Sequence, residues 1–162
     1  MSFESYIQTY LKNNIDIPIV INTDVNVAAL AEYYALEKPM DCMIMITLGT
    51  GVGGGVIIDG KIYTGSNYAG GELGHTVINM DGEYCTCGRN GCWEAYASAT
   101  ALIRQTKQAM LRYPDTVMWD LVNGDINAVN GLTAFDAMRK GDKAGKSVVE
   151  KYVGYIAVGI AN

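Results

Sequence analysis

The only histidine and three of the four cysteines of the chain fall within 18 positions, as His75, Cys85, Cys87 and Cys92. One imidazole and three thiols form the donor set of a closed structural zinc site, and Gly82, Gly88 and Gly91 allow a short loop to fold back around an ion. The alternatives are one disulfide with a spare thiol, or an ordinary hydrogen-bonded histidine near unrelated cysteines. Neither explains why the whole histidine content and most of the cysteine content gather here. Two carboxylates, Glu72 and Glu94, bracket the set.

A second chemical feature is Gly49-Thr50-Gly51-Val52-Gly53-Gly54-Gly55. It contains Gly-x-Gly-x-x-Gly, yet a dinucleotide fingerprint needs a helix directly after the glycines, and a β-rich run follows instead. A glycine-rich hairpin can still hold phosphate, because backbone N–H groups converge on an anion where side chains are missing, with the Thr50 hydroxyl as a further donor. The plainer alternative is a bulged turn. Third is Asp24, at the head of Asn-Thr-Asp-Val-Asn-Val-Ala-Ala-Leu-Ala-Glu, where a carboxylate by itself reads as a cap or first-turn acid favoured by the helix dipole.

These residues need elements to carry them. The pattern predicts a helix ending near Asn13, a short buried strand over 17–21, and a helix capped by Thr23 or Asp24 that runs to about Glu37 and is stopped by Lys38-Pro39. Cys42–Leu48 reads as a continuous apolar strand. Val56–Ile58 pairs back on it and turns tightly at Asp59-Gly60 into Lys61–Tyr63, giving a three-stranded meander. Beyond Trp93, helices are predicted over 95–110, 116–122, 133–140 and 145 to the end, with breaks at Asn123-Gly124-Asp125 and Asn130-Gly131. The last helix grows more apolar along its length, which predicts a contact surface.

Composition bounds the class. The 162 residues are 49% hydrophobic and 18% charged, with a mean hydropathy of +0.09, enough apolar material for one globular core. Seventeen acids against twelve bases give a net charge of −5, which argues against nucleic acid or an anionic membrane as a partner of this chain. The N-terminal stretch has an acid at position 4 and no apolar run, unlike a secretory signal, so a cytoplasmic, reducing setting is expected. The longest uncharged stretch, 42–58, contains five glycines among 17 residues, short of the roughly 20 apolar residues of a membrane helix.

Taken in order, the three features resemble the ROK family, named for repressors, open reading frames and kinases. Asp24-Val-Asn-x-Ala-Ala-Leu-Ala-Glu is similar to the family's Asp-x-Asn-Ala-Ala-Ala-x-Gly-Glu segment, Gly49–Gly55 to its second phosphate loop, and Gly71-Glu72-Leu73-Gly74-His75 to its sugar segment. Cys85-x-Cys87-Gly88-x-x-Gly91-Cys92-x-Glu94 resembles its zinc signature. The resemblance implies an α/β domain of the actin-like, ribonuclease-H-like ATPase fold, with a β-meander, helices and a zinc loop.

It also implies roles. Asp24 would be the base accepting the proton of an attacking sugar hydroxyl, Gly49, Thr50 and Gly51 would contact phosphate, and Thr23, Gly71, Glu72, His75 and Glu94 would hold the sugar. His75 would ligate structural zinc together with Cys85, Cys87 and Cys92, the metal fixing the ring that faces the sugar. Thr23 stands where the family has an asparagine, and one hydroxyl offers fewer hydrogen bonds than an amide, so sugar preference is expected to differ.

The family's first phosphate loop, Asp-x-Gly-Gly-Thr, is absent from the 162 residues. The chain therefore reads as residues 1–162 of the larger ROK domain, without the N-terminal phosphate-loop domain or the C-terminal adenosine segment, and little or no kinase activity is expected of it alone. The complete protein is expected to be an ATP- and Mg2+-dependent hexose kinase of the glucokinase type, forming homo-oligomers. Trp93-Glu94-Ala95-Tyr96-Ala97-Ser98-Ala99-Thr100 resembles the corresponding stretch of glucokinase-like members. The alternative is the sugar-sensing part of a ROK transcriptional repressor, and a third reading is a frame that folds around zinc and binds sugar weakly.

Overall fold

A computed structural model describes residues 5, 7, 9–11, 22–38 and 40–162. The described residues between 5 and 11 are helical, as expected, while the strand expected over 17–21 and Pro39 lie outside the described residues. Helix α1 (Asp24–Ala35) packs on a three-stranded antiparallel sheet of β1 (Cys42–Leu48), β2 (Val52–Ile58) and β3 (Lys61–Ile62), in the order β1-β2-β3. A 3-10 turn (Leu73–His75) and the cysteine loop follow. Then come α2 (Glu94–Ala97), α3 (Ala99–Arg112), α4 (Met118–Leu121), a second 3-10 turn (Ile126–Ala128), α5 (Thr133–Arg139) and α6 (Lys143–Ala161).

The meander has the expected order but a different start. Strand β2 begins at Val52 and takes in the glycines: Leu48 pairs with Val52, Thr47 with Gly53, Ile46 with Gly54 and Met45 with Gly55. Glycine is a poor strand residue by propensity, and the cause here is packing. A Cβ on Gly55 would come within 2.7 Å of the Ala29 Cβ of α1, and one on Gly54 within 2.6 Å of Leu73 on the opposite face. The Asp59-Gly60 turn matches expectation, both residues having positive φ (50° and 72°), as a tight hairpin between twisted strands demands.

The helix expected over 95–110 is broken at Ser98, which is extended (φ −74°, ψ 160°) and caps α3 by accepting the N–H of Ala101 at 3.1 Å. The break lets the Ala99 N–H reach the carbonyl of Gly49 at 2.8 Å, and the Thr100 hydroxyl the carbonyl of Thr50 at 2.8 Å. The start of α3 thus holds the glycine loop from behind. Helix α6 begins two residues before expectation, where Asp142 accepts the N–H of Gly145 at 2.6 Å.

Two cores result. The larger joins α3 to α6 through Leu102, Met110, Met118, Val122, Val129, Val148, Val149 and Tyr152; the smaller consists of Val52, Trp93 and Ala97 under Ile46, Leu73 and Ile78. Ile156 packs against both. Val153, Val158 and Ile160 of α6 remain exposed, in keeping with the apolar end read from the sequence. Among the described residues no helix is long and apolar enough to cross a membrane.

Candidate sugar and metal site

The cysteine loop is built from backbone pairing that returns the chain on itself. Val77 bridges Cys92, Ile78 donates to the Gly91 carbonyl at 2.9 Å, and Tyr84 bridges Asn90, so the segment after His75 runs antiparallel to the segment before Glu94. At the tip, Cys85 donates to the Arg89 carbonyl at 2.8 Å and Gly88 to the Cys85 carbonyl at 2.9 Å. Gly91, with φ +77°, sits so close to Asn79 that a side chain there would overlap its carbonyl.

This folding brings the four expected ligands together. One donor atom each from His75, Cys85, Cys87 and Cys92 lies within 4.8 Å of all the others, with Cys85 Sγ 3.6 Å from His75 Nδ1 and Cys87 Sγ 3.5 Å from Cys92 Sγ. Two sulfurs ~2.3 Å from a shared tetrahedral ion would stand about 3.8 Å apart, so the donor set and its spacing fit zinc. All four cysteines are free thiols, so the disulfide alternative is not realised.

The thiols have divergent tendencies. The Arg89 backbone N–H and guanidinium bring Cys87 down to about 6, while burial, helped by the neighbouring sulfurs, pushes Cys92 up to about 12. A cation among the sulfurs would favour the thiolate form that burial opposes at Cys92.

Glu94 joins the cluster to the glycine loop. Its Oε2 accepts the Val52 N–H at 3.0 Å, while Oε1 lies 3.8 Å from Cys85 Sγ and 3.5 Å from the Thr86 hydroxyl. A Cβ on Gly51 would overlap that carboxylate, so Gly51 is a cradle for Glu94 as well as a loop residue. A cleft of about 570 Å³ is lined by Asp24, Gly49, Thr50, Gly51 and Glu94 together with Thr47 and Val52. Two larger cavities, about 650 and 700 Å³, lie at the helical end and contain none of the expected site residues.

Asp24 opens α1 at the cleft, exposed, with Oδ1 accepting the Val25 N–H at 2.8 Å. Thr23 is the cap residue by backbone position, but its hydroxyl makes no capping bond; Asn22 instead accepts from the Thr23 N–H and the Asn26 amide, both at 2.9 Å. Glu72 Oε2 lies 4.0 Å from His75 Nε2, so the imidazole presents one nitrogen to the sulfurs and the other to a carboxylate. Gly71 (φ +90°) lies against the backbone of Gly54 and anchors the 3-10 turn to β2. Sequence reasoning did not find Ser98, Ala99 and Thr100 as supports of the loop; the one available signal was a capping serine inside a helical pattern.

The chain is similar to proteins that handle sugars. A glucokinase from Thermotoga maritima is 34% identical over 144 residues, covering 88% of this chain and 45% of the relative. A xylose repressor from Bacillus subtilis is 36% identical over 132 residues, 80% of this chain and 34% of the relative. Among solved structures, a ROK glucokinase from Streptomyces griseus in complex with glucose and AMPPNP superposes with a TM-score of 0.80 at 34% identity, covering 94% of this chain and 50% of that one. The chain thus spans less than half the length of these two curated relatives. The family model described as "ROK family" matches residues 4–162, and this chain, an α/β domain of the actin-like ATPase fold, belongs to that family.

Proposed function

We propose that the chain is the sugar-holding part, within the larger domain, of a hexose kinase of the glucokinase type. The observation that carries this reading is one cleft holding Asp24, the Gly49–Gly51 loop and Glu94. Phosphoryl transfer is largely positioning and charge stabilisation, so the base must hold the attacking hydroxyl in line more than it must be strongly basic. Asp24 Oδ1 is steadied by its own helix, which leaves the other oxygen for the proton of a sugar hydroxyl. Glu94, Glu72, Thr23, the Gly71 backbone and His75 Nε2, the nitrogen turned away from the sulfurs, would supply the remaining contacts to the sugar.

Zinc, held by His75, Cys85, Cys87 and Cys92, serves structure in this reading, since three thiolates and an imidazole leave no open position. The Gly49–Gly51 backbone and Thr50 would face the phosphate of ATP·Mg2+ in the complete enzyme, which would work in the cytoplasm as a homo-oligomer. By themselves the 162 residues are expected to bind sugar without turnover. A repressor is the second reading, favoured by the Bacillus subtilis relative and by a solved ROK transcriptional regulator, TM-score 0.76 at 25% identity.

The test is calorimetric titration of the zinc-loaded chain with glucose, mannose, N-acetylmannosamine and xylose. Heat with a hexose that disappears in Glu94→Ala and persists in Asp24→Asn supports the kinase site. Absence of heat with every sugar, or heat unchanged by Glu94→Ala, overturns it. In the complete protein, Asp24→Asn should abolish ATP-dependent phosphorylation while leaving sugar binding intact, an outcome the repressor reading does not produce.

A further inference from the structure

We propose that Tyr96 is a positioning residue whose hydroxyl sets the distance between the metal tetrad and Glu94. The proposal rests on the zinc reading of His75, Cys85, Cys87 and Cys92. Glu94 and Tyr96 share the single turn of α2, and residues two apart on a helix point to roughly opposite sides. Glu94 turns toward the glycine loop. Tyr96, only 6% exposed, turns back under the cysteine loop, where its oxygen accepts the Glu83 N–H at 2.7 Å and the Asn79 side-chain amide at 3.3 Å.

Glu83 is held on both sides, because its carbonyl accepts the Gly91 N–H at 2.7 Å. Two residues later comes Cys85, whose sulfur is 3.6 Å from His75 Nδ1 and 3.8 Å from Glu94 Oε1. The contacts close a ring: Tyr96 to Glu83, along the chain past Cys85 to Thr86, whose hydroxyl donates to Glu94 Oε1 at 3.5 Å, and back through one helical turn to Tyr96. A side chain on Gly82 would overlap the hydroxyl, so the loop is fitted to that oxygen. The ring itself is braced against Tyr155 of α6, centroids 4.7 Å apart.

Tyr96→Phe removes the hydroxyl and keeps the ring and its contact with Tyr155. In the full chain, competition with a chromogenic chelator should show zinc held roughly tenfold more weakly, the loss expected when a buried hydrogen bond that orients a ligand arm is removed. The Glu83 amide should exchange faster in the zinc-loaded protein, and the visible absorption bands of the cobalt-substituted chain should shift. Tyr152→Phe, in the helical core, should leave all three readouts unchanged. Should Tyr96→Phe fail to fold, Gly82→Ala, which crowds the same oxygen from the loop side, must move them in the same direction. Zinc affinity and Glu83 exchange equal to wild type would overturn this proposal alone, whereas a wild-type chain that takes up no zinc would overturn the tetrad reading and the proposal together.

Discussion

The two ends of the molecule are held together by different physics. The helical end buries Leu102, Met110, Met118, Val122, Val148, Val149 and Tyr152 in one apolar cluster. The site end has a smaller apolar cluster of Val52, Trp93 and Ala97, with Ala29 and Ile57 also buried, and otherwise depends on backbone bridges, glycine contacts and four potential ligands. Burial is the dominant stabilising term and scales with apolar area, so the helical end supports itself while the site end needs help. On the reading proposed above, a site built this way gains exposed polar groups for substrate, at the cost of depending on an ion for its shape.

If zinc is held as proposed, removing it should break the comparison most visibly. Chelation, or Cys92→Ser at a fully buried position, should strip exchange protection from amides 75–94 and leave α3 to α6 protected, because structural zinc contributes folding energy outright. Simultaneous loss of protection at both ends would show that the helical end has no independent stability. Hydrogen exchange read by mass spectrometry decides between them.

Trp93→Ala comes next. Trp93 is 1% exposed and its Nε1 donates to the Tyr155 carbonyl at 2.7 Å, so truncation should cost about 3–5 kcal/mol in denaturant unfolding. Gly159→Ala attacks the same joint from α6, since its Cβ would overlap the buried indole, and should cost about 1–3 kcal/mol.

The helical end has its own polar tie. Burial alone would raise the Asp142 carboxyl, but the N–H groups of Gly145 and Val117 and the Thr116 hydroxyl outweigh it and hold the group below its ordinary value. Because the folded value is depressed, this stabilisation is complete above the unfolded value of ~3.9 and is lost as pH falls through the folded one. Asp142→Ala should therefore destabilise by about 2 kcal/mol at pH 7, with a gap to wild type that narrows below about pH 4 in denaturant titrations. A gap independent of pH would remove charge from the account. The smallest effect belongs to Ser98→Ala, about 1 kcal/mol from the lost cap of α3, read as a modest fall in melting temperature.

The tetrad was legible because ligand chemistry restricts residue type: few arrangements other than a metal site bring a sole histidine beside three cysteines. The meander and the later helices followed from apolar runs and turn residues, which are local signals. What escaped was set by distant partners. Gly53, Gly54 and Gly55 look like a loop until α1 and Leu73 are seen pressing on them, and the interruption at Ser98 is explained by the Gly49 carbonyl about fifty residues away. The same holds for Tyr96 and Trp93, ordinary aromatics until Glu83 and Tyr155 are found at their polar ends. Thr23 stands at the expected cap position, yet Asn22 takes up the local hydrogen bonds, a competition between adjacent side chains that spacing does not resolve.

Strand β2 carries a consequence for how this protein can vary. Its glycines are squeezed from above by the helix bearing Asp24 and from below by the turn bearing His75, so neither layer can be re-spaced without moving the other. Even a single added methyl at Gly54 or Gly55 would act as a wedge between the acid on one face and the imidazole on the other. Sequence drift in this stretch is therefore blocked by geometry, whether or not a ligand ever touches it.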